Sequence, residues 1–301
     1  MHSIDFPTLL TTMYVLVDDW YKENAPRLLR GKAGAKPAFS DAELITLLLA
    51  QDFLPFPGET QFLGYIRANY LDLFPRLVDQ SQFNRRARSL RLLVEELRRH
   101  WLATPGVLHE TAFLLDTKPV PVVGYKRSKS RGEFRQSAGF GYCVARRLHY
   151  FGDKFVALTT FDGVPLAYEL VAANADEREA AEEVLDFVRR CDIFGDKGFI
   201  GAEWQAEVKE HTGNRVWTVK RVNQKEQNPQ SFDRWLNSVR ERIEGAFNEL
   251  QNTGRNLERL LTKTVVGLTT RVIAKVTSHT LKLLLRRRFG IEVQTFEVAG
   301  S

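Results

Sequence analysis

The sequence predicts an α/β fold: an all-α N-terminal domain, then a mixed sheet flanked by helices. Three observations carry that prediction. Residues 1 to about 104 follow helical periodicity. The stretch "ATPG" at 103–106 is a boundary signal. Beyond it, antiparallel-looking strands come first, and helix and strand then alternate, as in a sheet with helices on its faces. A chain of 301 residues holds roughly two domains at ~150 residues each. The expected division is a helical domain over 1–104, an α/β domain over 105–290 and a tail over 291–301.

Each element has its local reason. "SDAELITLLLAQDF" opens with Ser40 and places Glu43 three residues on, which is a capping box ahead of an apolar run. Phe83, Ala87, Leu90, Val94, Leu97 and Trp101 recur at spacings of three and four, so an amphipathic helix runs through them. Its other faces carry Arg85, Arg86, Arg88, Arg91, Arg98 and Arg99, which suit either a DNA-contacting helix or a packed helix with an ordinary charged surface. "TAFLLD" (111–116), 142–151, 155–161 and 164–173 read as strands, with Asp162 and Gly163 as a hairpin turn between the last two. Residues 176–190 read as a helix with acids in its first turn, where the helix dipole favours them. "CDIFGDKGFIG" (191–201) opens as a strand ending at Asp196, "AEWQAEVKEH" is a helix and "RVWTVK" a strand. A polar loop at 221–230 leads to a long helix from Ser231, and helical sequence continues to about Phe289.

Composition narrows the function. Lys and Arg number 43 against 37 Asp and Glu, and the excess is clustered. Residues 117–135 hold Lys118, Lys126, Arg127, Lys129, Arg131 and Arg135 against Glu133, and 255–289 hold nine basic residues against Glu258. Clustered positive charge points to a polyanion such as nucleic acid, with a pair of solvated faces as the alternative. Cys143 and Cys191 form neither a CxxC nor a histidine-partnered pattern, so a disulfide framework and a structural zinc site are not expected. No signal peptide and no membrane-length apolar run is read, and a cytoplasmic, nucleoid-associated place is expected.

Three acids stand where a metal site could form. Asp116 ends one strand, and Asp196 ends another reached after one crossover helix; parallel strands bring such ends to one sheet edge. Glu244 follows the apolar Ile243 by ~100° of helical turn, at the border of the buried stripe, with Arg240 one turn earlier. Converging carboxylates repel unless a cation joins them, and hard oxygen donors suit magnesium, with manganese as substitute. Two such ions clamp the attacking and leaving oxygens of a phosphodiester. Taken singly, Asp116 and Asp196 also fit turn formers, and Glu244 fits a surface ion-pair partner.

"FLLDTKPVPV", "IFGDKGFIG" and "RERIEGAFNEL" resemble the three acidic blocks of bacterial insertion-sequence transposases of the DDE type, and residues 40–290 share the likeness. The acids stand 80 and 48 residues apart. Phe199 stands where a tyrosine is common, and Gln251 where many relatives carry a lysine used near transposon-end DNA. The resemblance implies an RNase H-like core with Asp116, Asp196 and Glu244 as catalytic metal ligands. It also implies cleavage at terminal inverted repeats, transfer of the 3′-hydroxyl into target DNA, and at least a homodimer in the active complex. Lys126, Arg127, Lys129 and Arg131 are expected to hold the DNA backbone, and Arg240 to orient Glu244 or touch phosphate. Two alternatives are a catalytically silent, transposase-derived DNA-binding protein and an aspartyl-nucleophile phosphatase. The second lacks support, since Lys118 occupies the place of that class's second acid.

Overall fold

A computed structural model describes residues 2–29, 37–103, 106–123, 132–143, 147–220, 227–252, 254, 256–260 and 262–298. In chain order the elements are β1 (His2–Ser3), α1 (Phe6–Leu28), α2 (Asp41–Ala50), α3 (Glu59–Asn69) and α4 (Gln80–Leu102). Next come β2 (Ala112–Val123), β3 (Gly139–Cys143), β4 (Leu148–Thr159), β5 (Pro165–Ala172), α5 (Glu177–Leu185) and β6 (Asp192–Gly195). The chain closes with α6 (Ala202–Thr212), β7 (Arg215–Thr218), α7 (Gln230–Asn252), α8 (Val265–Phe289) and β8 (Ile291–Glu292).

These elements form two compact units. One joins the residues up to Leu102 with those from Asn252 onward; the other is Ala103–Gln251. The sequence reading divides the chain after residue 104 and after residue 290. In the units described here α8 goes with the residues up to Leu102, where it packs with α4 and α2. The reason lies in α8 itself. From Val272 to Leu285 nearly every residue is buried, polar Ser278 and Thr280 included. A helix covered on all sides needs neighbours all round, which α2 and α4 supply. The hydroxyl of Ser278 donates to the carbonyls of Leu49 (2.9 Å) and Ala274 (2.8 Å). β1 and β8 also pair as parallel strands, His2 opposite Ile291.

Local signals in the helical unit act as expected. The Ser40 hydroxyl accepts from the Glu43 amide (3.1 Å), and the Glu43 carboxylate accepts from the Ser40 amide (2.6 Å), closing the capping box. The arginines of α4 divide. Arg86 pairs with Asp41 at 2.7 Å, and Arg98, almost fully buried, pairs with Glu95 at 2.7 Å. Arg99 reaches Glu95 and Glu96. Much of this helix's charge therefore serves packing.

In the other unit the strand order is β3-β4-β2-β6-β7, with β5 beside β4. β2 and β4 are antiparallel, while β2, β6 and β7 run parallel. This is the mixed sheet that was expected. The sequence reading ends one strand at Phe151 and begins another at Phe155; instead β4 runs unbroken over Leu148–Thr159. Gly152 permits this, because a Cβ there would stand 2.2 Å from the Val120 carbonyl oxygen. The hairpin at Asp162–Gly163 forms, with Gly163 at φ 90° and its amide donating to Thr160 O at 3.0 Å. β6 pairs with β2 only over residues 112–115. Downstream of that point β2 keeps β4 as its partner, and an edge free of β6 tolerates Pro119 and Pro121, which lack an N–H. Among the described residues, no helix is long and apolar enough to cross a membrane.

Candidate active site

The site begins where β6 stops pairing with β2. Leu115 is opposite Gly195, so the next residues along the parallel pair are Asp116 and Asp196. Asp196 begins a short 3₁₀ turn, Lys197–Phe199, whose Phe199 amide donates to the Asp196 carbonyl at 3.0 Å. Its carboxylate makes no capping bond to that turn. Gly195 lies under Phe199, where a Cβ would meet the ring at 2.8 Å. Both acids line a pocket of about 300 Å³ with Lys118, Lys154, Glu177 and Tyr142.

The charges in this pocket influence one another. Burial pushes the Asp116 carboxyl up to about 6; Lys118 and the Thr117 amide oppose the rise, and the charges of Asp196 and Glu177 add to it. Lys118 Nζ stands 3.9 Å from Asp116 Oδ2. The two aspartates are thus close enough to repel, with one ammonium beside them.

Opposite faces of β2 meet different helices. Leu114 aligns with Phe194, and Phe194 with Trp217, so these three side chains share a face with Asp116 and Lys118. α7 crosses that face. Phe232 meets Trp217 (5.3 Å between ring centroids), Trp235 meets Phe194 (5.0 Å), and Phe247 lies under Lys118 (6.0 Å). Leu236, Val239, Phe247 and Leu250 form its buried stripe. Glu244 is one turn before Phe247 and exposed, on the flank of that stripe.

Thr117 points to the other face, where α5 begins. Asp176 caps α5, accepting from the Arg178 amide (2.8 Å) and from its guanidinium (3.0 Å twice). These bonds hold Asp176 down to about 2. Glu177 then reaches the sheet: it accepts from the Thr117 hydroxyl at 3.2 Å and stands 3.9 Å from Lys154 Nζ. It also fills the space beside Gly198, where a Cβ would fall 1.8 Å from Glu177 Oε2. One carboxylate thereby ties β2 to the turn that carries Asp196.

Asp116 and Asp196 therefore share one pocket, while Glu244 is not among its lining residues. Among the described residues no three His, Cys, Asp or Glu side chains stand close enough to hold a metal ion. Lys126, Arg127, Lys129 and Arg131 lie outside the described residues, as does the side chain of Arg240. Sequence reasoning missed Glu177 and Lys154. The acids of "DERE" at 176–179 had a sufficient local explanation in the helix dipole, and nothing in the stretch shows that one of them faces a pocket.

A protein-family model described as a transposase DDE domain matches residues 108–296, more than half of the chain. No curated protein and no solved structure matches.

Proposed function

Because the chain belongs to the transposase DDE domain family, whose function is DNA cleavage of the transposase type, we propose that it cuts insertion-sequence ends with Asp116, Asp196 and Glu244. The observation that supports this most is the placement of Asp116 and Asp196 at adjacent ends of parallel β2 and β6, in one pocket and electrostatically coupled. Two carboxylates that repel across a pocket suit a hard divalent cation, which removes the repulsion. Mg²⁺, or Mn²⁺ in its place, would be held by these two aspartates and by Glu244 from the flank of α7. When bound, it supplies positive charge that activates water and stabilises the leaving oxygen.

The chain's own groups do the rest. Asp116 and Asp196 fix where the phosphodiester must lie, and Lys118 brings an ammonium to the same place. In the first displacement, water attacks phosphorus; the bond to the 3′ oxygen breaks, and that oxygen leaves protonated as a 3′-hydroxyl. In the second, the freed hydroxyl gives up its proton and bonds to phosphorus of a target phosphodiester; the target's own P–O3′ bond breaks, and that oxygen leaves protonated as a new 3′-hydroxyl. The partners in this reading are double-stranded terminal inverted repeats and target DNA. Two ends must be joined, so the active complex is at least a homodimer. Lys126, Arg127, Lys129, Arg131 and Arg240 serve as backbone contacts.

The test is nicking of a duplex carrying the element's ends, with Mg²⁺ or Mn²⁺. Asp116→Ala, Asp196→Ala and Glu244→Ala should each lower the cleavage rate by at least 10²-fold, ~3 kcal/mol in barrier, while the duplex still binds. Undiminished cleavage by any one of them removes that residue from the site.

A further inference from the structure

The helical unit holds a second cavity, of about 230 Å³, for which the carboxylate pocket gives no reason. Glu59, Gln80, Asn84, Arg88, Lys263 and Arg271 line it. Its one carboxylate is already engaged. Glu59, 5% exposed, accepts from Gln80 Nε2 (2.9 Å) and from Asn84 Nδ2 (3.0 and 2.8 Å), and pairs with Arg271 at 3.5 Å. Arg271 offsets that charge, which leaves the positive charges of Arg88 and Lys263.

Arg88 differs from the other arginines of α4 that found acids. Arg88 is half-buried, and its Nε is buried without a hydrogen-bond partner. A buried cationic donor with nothing to donate to is costly, and a charged acceptor returns the most. Its position sharpens the point. Arg88 Nη2 stands 3.5 Å from the place a Cβ on Gly267 would occupy, in the first turn of α8. That turn is the positive end of a 25-residue helix dipole. A cation packed against such an end is repelled, and an anion between the two turns repulsion into attraction.

We propose that this cavity binds a phosphate group, held by the Arg88 guanidinium and the Lys263 ammonium against the first turn of α8. Guanidinium geometry suits two oxygens of one phosphate. The group could belong to the DNA backbone or to a free phosphate. Only the DNA source rests on the transposase reading; the phosphate chemistry stands on the cavity itself.

The experiment has two arms, both on the full chain, and neither reads cleavage. In the first, inorganic phosphate is titrated against chloride at matched ionic strength and thermal unfolding is followed. Phosphate should raise the wild-type unfolding temperature, and Arg88→Gln should weaken the response about tenfold. Lys263→Gln, at an exposed position, should weaken it in the same direction and serves if Arg88→Gln does not fold. In the second arm, affinity for a short duplex is measured against salt. If the cavity takes a backbone phosphate, Arg88→Gln lowers the salt slope by about one. An unchanged slope with a lost phosphate response assigns the cavity to free phosphate. Variants that respond to phosphate as the wild type does, with an unchanged salt slope, overturn the proposal.

Discussion

Asp153 gives the sharpest test of the energetics of this sheet. It lies mid-strand in β4, opposite Val120 and Ala172, and is 5% exposed. Burial alone pushes its carboxyl from 3.8 to about 7. At ~1.4 kcal/mol per pH unit, that difference is worth about 4 kcal/mol. The sign follows from proton binding. The folded chain binds this proton more tightly than the unfolded chain, so the stability it confers is fully present below about pH 4. It is lost as pH rises through 7, where the buried group must ionise. Asp153→Asn removes the titration while keeping the shape. The assay is urea unfolding followed by tryptophan fluorescence at intervals from pH 4 to 8. With a slope of about 2 kcal/mol per molar urea, the variant's midpoint should exceed the wild type's by up to about 2 M at pH 8. The gap should close near pH 4. Two midpoints that keep a constant offset across the range would refute the reasoning.

Two further outcomes concern the local devices. Gly198→Ala places a methyl where the Glu177 carboxylate now lies, 1.8 Å from Oε2. It should cost about 1–3 kcal/mol in unfolding free energy. In a Glu177→Ala background, where the obstacle is gone, the same change should cost under 0.5 kcal/mol; an equal cost in both backgrounds would show that Glu177 does not occupy that space. Ser40→Ala opens the capping box of α2 and should cost about 1 kcal/mol, read from denaturant midpoints at constant slope.

The parts that were legible in the sequence are those set by neighbours along the chain. Ser40 and Glu43 cap a helix because they are three residues apart, and Asp162–Gly163 turns because Gly163 accepts a positive φ. Asp116 and Asp196 were legible because apolar runs ended in acids, and parallel register brought those ends together. What was not legible depends on distant partners. β4 passes through Gly152 and Asp153 because the backbone of β2 leaves no room for a side chain at 152. α8 follows α7 in sequence but finds its neighbours in α2 and α4. Glu177 has a complete local reason to exist, which hid its contact with Thr117 sixty residues away. Glu244 was read at the border of a buried stripe; it lies on that flank, exposed, outside the pocket that holds the two aspartates.

The return of α8 to the N-terminal helices has a consequence for how the protein is made. Translation delivers residues 1–102 before the helix that packs among them, and all of Ala103–Gln251 is made in between. The apolar sides of α2 and α4 must wait, uncovered, while the intervening sheet is synthesised. A nascent chain cut short before Val265 would keep those surfaces bare and present them to chaperones or to other unfinished chains.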